Sequence, residues 1–157
     1  MSRTFDAPRG LVFKAWTERE HLMHWWGPAA MTMELLTADI RPGGTMHYSM
    51  RSPDGQEMWG KWAIRDVVVP ERLVWINSFS DAEGNVTRAP FAPEFPLEVL
   101  SVVTLDEHDG KTTLTMQGVP LNPTEAERKL FDAFHASMQM GWGATLDKLD
   151  AHLSTRS

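Results

Sequence analysis

Histidine is the side chain whose charge changes near neutral pH, and this sequence holds six, at positions 21, 24, 47, 108, 135 and 152. His21 and His24 stand at helical i, i+3 spacing, which would put two imidazoles on one helix face, able in principle to chelate a metal. No third ligand is implied and no H-E-x-x-H pair occurs, so they read as surface or half-buried histidines and no metal is expected. His135 could present a polar atom to an enclosed ligand, or stand at a helix margin in solvent. Acid–base catalysis would need carboxylates or imidazoles held in a dry pocket with displaced pKa values. Asp39, Glu57, Asp66 and Glu98 fall on or beside expected strands; sequence alone places no pair of them at working distance, and each reads as a solvated outer-face residue. No nucleophile elbow, phosphate loop or dinucleotide fingerprint occurs, and Pro42-Gly43-Gly44 is turn chemistry. With no cysteine, disulfides, thiolate zinc sites, iron–sulfur clusters and Cys nucleophiles are excluded, which fits a reducing compartment. No catalytic residue and no cofactor is named by these residues.

The unusual chemistry is apolar: seven Trp and ten Met in 157 residues, against a single Tyr. Such side chains fill irregular space and make adaptable surfaces, so they serve either as large core fillers or as the wall of a cavity. Strand alternation puts Met46, Tyr48 and Met50 on one face. Trp59 and Trp62 lie on opposite faces of the next strand, and Trp62 with Ile64 is assigned inward because Lys61 and Arg65 share a face with Trp59. Trp75, Phe79, Phe91, Phe95, Phe134, Met138 and Trp142 complete the expected lining, with His135 beside it.

The elements that must position these residues follow from periodicity and turn chemistry. Arg3 to Phe5 reads as a short strand, Asp6 as the cap of a helix burying Val12, Phe13 and Trp16, and Thr17 to Glu20 as a capping box. That box opens a second helix, which Gly27-Pro28 stops. Trp25 and Trp26 cannot share one side of a short helix, so either one is exposed and could seed a homodimer, or both are buried where the helix stops and the chain turns. Period-two strands follow over about 32–40, 45–51, 58–68, 73–78, 97–106 and 111–118. Residues 79–96 hold three prolines and three phenylalanines and form either a lid over a cavity mouth or a loop packed outside. Thr124 and Glu127 make a further capping box for a helix running to about His152, roughly 28 residues or about 42 Å. Its apolar stripe is Phe131, Phe134, Met138, Trp142, Leu146, Leu149 and Leu153. Gly141 and Gly143 each weaken it by about 1 kcal/mol unless close approach of a backbone or ligand offsets that.

One strand, two helices, six strands and one long helix suggest an α+β domain in which a curved antiparallel sheet of about seven strands wraps the final helix. A curved sheet and a straight helix cannot touch everywhere, so an apolar cavity belongs between them. The length suits a single domain over residues 1–157. Apolar residues at 42% and charged residues at 23% are those of a globular protein. A formal charge of -6 repels phosphate backbones, which argues against nucleic acid. Without a membrane-length apolar run or a secretion signal, a cytoplasmic protein is expected.

The segments Phe5-Asp6-Ala7-Pro8, His24-Trp25-Trp26-Gly27-Pro28, Arg41-Pro42-Gly43-Gly44, Pro70-Glu71-Arg72-Leu73-Val74-Trp75 and Gly141-Trp142-Gly143 with Leu146 resemble the SRPBCC, or START-like, superfamily. The branch is the one related to the C-terminal domain of the activator of the heat-shock-protein-90 ATPase. The resemblance implies a helix-grip fold with a deep apolar cavity for hydrophobic small molecules, and in some relatives cyclase or dehydratase activity. The leading expectation is a binding protein for an apolar or aromatic small molecule. An enzyme of the cyclase, dehydratase or hydrolase kind, with His135, Tyr48 or a carboxylate as acid or base, comes second. A regulator of a heat-shock ATPase comes third, since that activity also depends on a further domain for which 157 residues leave no room.

Overall fold

The computed structural model describes residues 1–27, 31–90 and 92–155. Alternation in the sequence lays down eight strands there: β1 (Ser2–Phe5), β2 (Thr32–Ala38), β3 (Thr45–Arg51), β4 (Glu57–Val68), β5 (Arg72–Ser80), β6 (Val86–Thr87), β7 (Val99–His108) and β8 (Lys111–Pro120). They form one antiparallel sheet in the order β1-β8-β7-β5-β4-β3-β2, with the two-residue β6 paired to β5 off that path. β6 is the strand beyond the expected seven, and it lies inside the segment 79–96. Register shifts between Leu35 and Thr37 and between Ile64 and Asp66 mark irregularities of the bulge type, which bend and twist a sheet.

The helices are α1 (Arg9–Thr17), α2 (Arg19–Trp25), α3 (Glu125–Ala133) and α4 (His135–Ser154). None of the described helices is long and apolar enough to cross a membrane. Two expected caps are absent. Pro8 rather than Asp6 is the N-cap of α1 and makes no side-chain cap bond. The Thr17 hydroxyl donates back to the Phe13 carbonyl at 2.9 Å, so Glu18 precedes α2 without a side-chain cap. The single long C-terminal helix is also corrected: it breaks at Phe134, whose ψ of 0° departs from helical values. There Phe134 stacks on Phe95 with ring centroids 6.1 Å apart, while Phe131 meets the same ring at 6.0 Å.

The capping box at α3 is present, with the Thr124 N–H donating to Glu127 Oε1 at 2.9 Å and the Glu127 N–H donating to Thr124 Oγ1 at 3.1 Å. Glu127 also pairs with Arg88, tying the segment after β6 to α3. The Thr124 backbone bond first, and then Arg88, hold the Glu127 carboxyl below the usual carboxylate range. A carboxyl depressed in the folded state stabilises fully above the unfolded carboxylate value, and that contribution is lost as pH falls through the folded value. Glu127→Gln is therefore expected to lower the urea midpoint near neutral pH, with the gap to wild type closing as pH falls through and below the ordinary carboxylate range. A gap that stays constant over that range would refute the assignment.

Five of the seven tryptophans are buried in the core and Trp142 packs half-buried against it; Trp16 is their hub, with Trp25, Trp75 and Trp62 at 4.7, 5.7 and 6.2 Å between ring centroids. Trp25 and Trp26 are both buried, the second of the two expected arrangements. α2 ends at Trp25 and Trp26 is extended, so the one-face argument fails where the helix stops. The Trp25 indole N–H donates to the Ala15 carbonyl at 2.8 Å.

Candidate functional site

Cross-strand register divides the inward face of the sheet into a solid half and a hollow half. In the solid half, Met46 pairs with Trp62 and Ile64 with Trp75, and Val103, Leu105 and Leu114 continue the layer. These side chains are buried, and with Trp16 of α1, Leu22 of α2 and Leu146, Leu149 and Leu153 of α4 they form one core cluster. In the hollow half the inward phase falls on small or polar residues. Gly60 lies opposite Tyr48 and Phe79, Asn77 opposite Trp62 and Val99, and Ser101 opposite Gly118. Short side chains in those positions leave the sheet unable to reach the helix layer.

The hollow contains a cavity of about 540 Å³, walled on the sheet side by Tyr48, Met50, Gly60, Asn77 and Phe79 and on the helix side by Phe134, Met138, Gly141 and Trp142. A second chamber of about 410 Å³ adjoins it and shares Asn77, Phe95, Val99, Met138 and Trp142 with the first. Both volumes fall in the range of small-molecule sites. The apolar stripe of the C-terminal helices follows the same division: Leu146, Leu149 and Leu153 are buried, whereas Phe131, Phe134, Met138 and Trp142 are half-buried beside the chambers.

Of the residues expected to line a cavity, Tyr48, Met50, Phe79, Phe95, Phe134, Met138 and Trp142 wall the main chamber, and His135 walls the second. Met46, Trp62, Ile64 and Trp75 do not; this is a correction. They face inward as alternation requires but lie in the solid half, where Trp62 stacks on Trp75 at 4.4 Å. Phe91 lies outside the described residues. Trp59 faces outward and stacks on His47 at 5.6 Å. Sequence reasoning missed Trp26, Gly60, Asn77, Val99 and Ser101. The available signal was phase: Gly60 is in step with Trp62 and Asn77 with Trp75 and Phe79, so both had to point inward.

Neither acidic nor basic side chains occur among the described residues walling the main chamber. Tyr48 is its ionisable group, and burial pushes the phenol pKa up; the nearby Trp26 and Trp62 indoles pull the other way without satisfying hydrogen-bond geometry. Tyr48 therefore stays a neutral hydroxyl. Four indole N–H groups (Trp16, Trp26, Trp62 and Trp75) and Asn77 Oδ1 are buried without a hydrogen-bond partner among the described residues. Gly141 walls the main chamber with open space where a Cβ would stand, so no backbone approach explains it. Gly143 also has open space there, and its carbonyl accepts from Arg3 at 3.2 Å.

The other candidate groups sit elsewhere. Asp39 pairs with Arg41, Glu57 with Arg51 and Asp66 with Arg72, all partly exposed ion pairs of small energetic weight. Glu98 walls neither chamber. His21 and His24 do meet a third imidazole, His152 of α4, but His21 Nδ1 hydrogen-bonds His152 Nε2 at 2.8 Å and His24 stacks on its ring. No group of three ligating side chains among the described residues is arranged to hold a metal. The segment 79–96 contributes Phe79, Phe95 and Pro96 to the main chamber, and the Arg88–Glu127 pair anchors it to α3.

A family model described as "Activator of Hsp90 ATPase homolog 1-like protein" matches residues 6–154. No curated protein matches. A crystal structure of a Mycobacterium smegmatis protein is 28% identical, with a TM-score of 0.77 over 97% of this chain and 87% of that one. A solution structure of an Arthrobacter aurescens protein is 26% identical, with a TM-score of 0.80 over 98% of this chain and 84% of that one. An AHSA1 protein from Silicibacter pomeroyi is 17% identical, with a TM-score of 0.74 over 100% of this chain and 97% of that one, a likeness of fold.

Proposed function

Because the chain belongs to the family of Activator of Hsp90 ATPase homolog 1-like proteins, of SRPBCC type, and carries their curved sheet and long C-terminal helix, we propose that it is a binding protein for a hydrophobic or aromatic small molecule. The observation that carries this reading is the pair of adjoining chambers between the sheet and the C-terminal helices, walled chiefly by Trp, Phe, Met and Tyr. Burying about 300 Å² of apolar ligand surface at about 25 cal/mol per Å² supplies roughly 7 kcal/mol before the cost of association. Desolvation thus holds the ligand, and a few polar wall groups orient it. An acid–base mechanism would need two titratable groups converging on one substrate. Among the described walls, Tyr48 belongs to the main chamber and His135 to the second, with no carboxylate in either.

Trp26 and Trp142 stand in the main wall, so a bound aromatic ligand is expected to quench or shift tryptophan emission. Binding to the folded state alone also adds about 2.7 kcal/mol of stability at a free ligand concentration of about a hundred times Kd, and so raises the melting temperature. If a broad panel of apolar and aromatic compounds left both emission and melting temperature unchanged, the binding role would fall.

A further inference from the structure

Asn77 is out of keeping with its surroundings. It shares the inward phase of β5 with Trp75 and Phe79, and its cross-strand partners are Trp62 and Val99. It walls both chambers, and its Oδ1 is buried without a partner among the described residues. A carbonyl oxygen buried in such a row loses its hydrogen bonds to water and regains none among the described residues, which disfavours the amide against an apolar residue of similar size unless something else pairs with it.

Resting on the binding role above, we infer that the ligand is an uncharged molecule with a hydroxyl group on an otherwise apolar body, and that Asn77 at the junction of the two chambers pairs with that hydroxyl and orients it. The absence of charged side chains from the described wall of the main chamber sets the ligand's charge: an ionised group there would be desolvated and uncompensated. A hydroxyl both donates and accepts, and the terminal torsion of an asparagine is soft, so the amide can present either end to it. The neutral Tyr48 hydroxyl belongs to the same chamber wall and adds a hydrogen-bonding group without adding a charge.

The test compares 1-naphthol with 1-methylnaphthalene, a pair of nearly equal size, by calorimetric titration of the full chain at neutral pH. Water expels the methyl compound more strongly, so a purely apolar wall would prefer it. Wild type is expected to bind 1-naphthol about tenfold more tightly, the size of one buried hydrogen bond. Asn77→Leu should bind both compounds and lose or reverse the preference, whereas Thr115→Val, at a β8 position that walls neither chamber, should keep it. Asn77→Val provides the same comparison if the leucine variant does not fold. Equal or stronger binding of 1-methylnaphthalene to wild type, or a preference that survives in Asn77→Leu, would overturn the inference and leave the binding role intact. Failure of both compounds and of the wider panel to bind would remove the binding role itself.

Discussion

Trp62→Ala is expected to destabilise the fold by about 3–5 kcal/mol, the largest loss of any single truncation considered. Trp62 is fully buried, stacks on Trp75 at 4.4 Å, and meets Trp26 edge-on at 4.7 Å and Trp16 at 6.2 Å. Its removal deprives α1, the α2 terminus and two strands of one shared contact surface. The neighbours are themselves large rings on rigid elements and cannot collapse into the gap, which places the cost toward the upper end of the range. Against a total stability of about 5–15 kcal/mol, a loss of this size brings a domain near unfolding at room temperature. Trp62→Phe should be much milder, because it keeps part of the stack and deletes an indole N–H that has no partner among the described residues. Urea unfolding followed by circular dichroism measures both. A loss under about 1 kcal/mol for Trp62→Ala would show that the solid half of the interior is not close-packed.

Gly60→Val is expected to close the main chamber and to cost about 1–3 kcal/mol of stability. On propensity alone the substitution favours a strand, so the predicted sign comes wholly from tertiary contact. A Cβ on Gly60 would stand 2.5 Å from the Tyr48 hydroxyl, with ring atoms of Tyr48 equally crowded. Gly60 and Tyr48 are register partners, so the ring lies across the strand at the one residue without a side chain. A valine there displaces the phenol, whose open side is the chamber that it walls. Binding of a naphthalene-sized probe should fall by tenfold or more, since the displaced ring takes its space. Removing the obstacle should restore much of the stability: in the double variant Gly60→Val, Tyr48→Ala, the two losses should fall well short of adding. Full additivity, or wild-type probe binding by Gly60→Val, would refute the contact.

These two variants lie two residues apart on β4 and act through opposite properties, one the bulk of an indole and the other the lack of a side chain. That juxtaposition explains how the interior can be solid beside Trp62 and hollow beside Gly60. The sheet backbone runs continuously through both regions, and the difference is made by side-chain volume at successive inward positions.

Local and periodic properties were legible in the residues themselves. Alternation assigned Met46, Tyr48 and Met50 to one face and separated Trp62 from Trp59. Thr124 with Glu127 starts α3, because a capping box depends on contacts within a few residues. Phase alone could also have exposed Gly60 and Asn77 as inward breaks in an apolar row. Other features required the folded chain. Whether an inward aromatic residue fills the core or walls a cavity depends on what stands opposite it. Trp62 and Trp75 meet the Trp16 ring of α1, with Met46 and Ile64 buried in the same cluster, while Tyr48 and Phe79 wall the chamber. The break at Phe134 coincides with a ring stack to Phe95 from a distant segment, and helical periodicity carries no record of that contact. Sequence thus determined which way each side chain points, since that is set by backbone geometry over a few residues. Only the tertiary structure decided where opposing side chains meet and where they leave room, because that distance is fixed by the curvature of a whole sheet against the path of a helix.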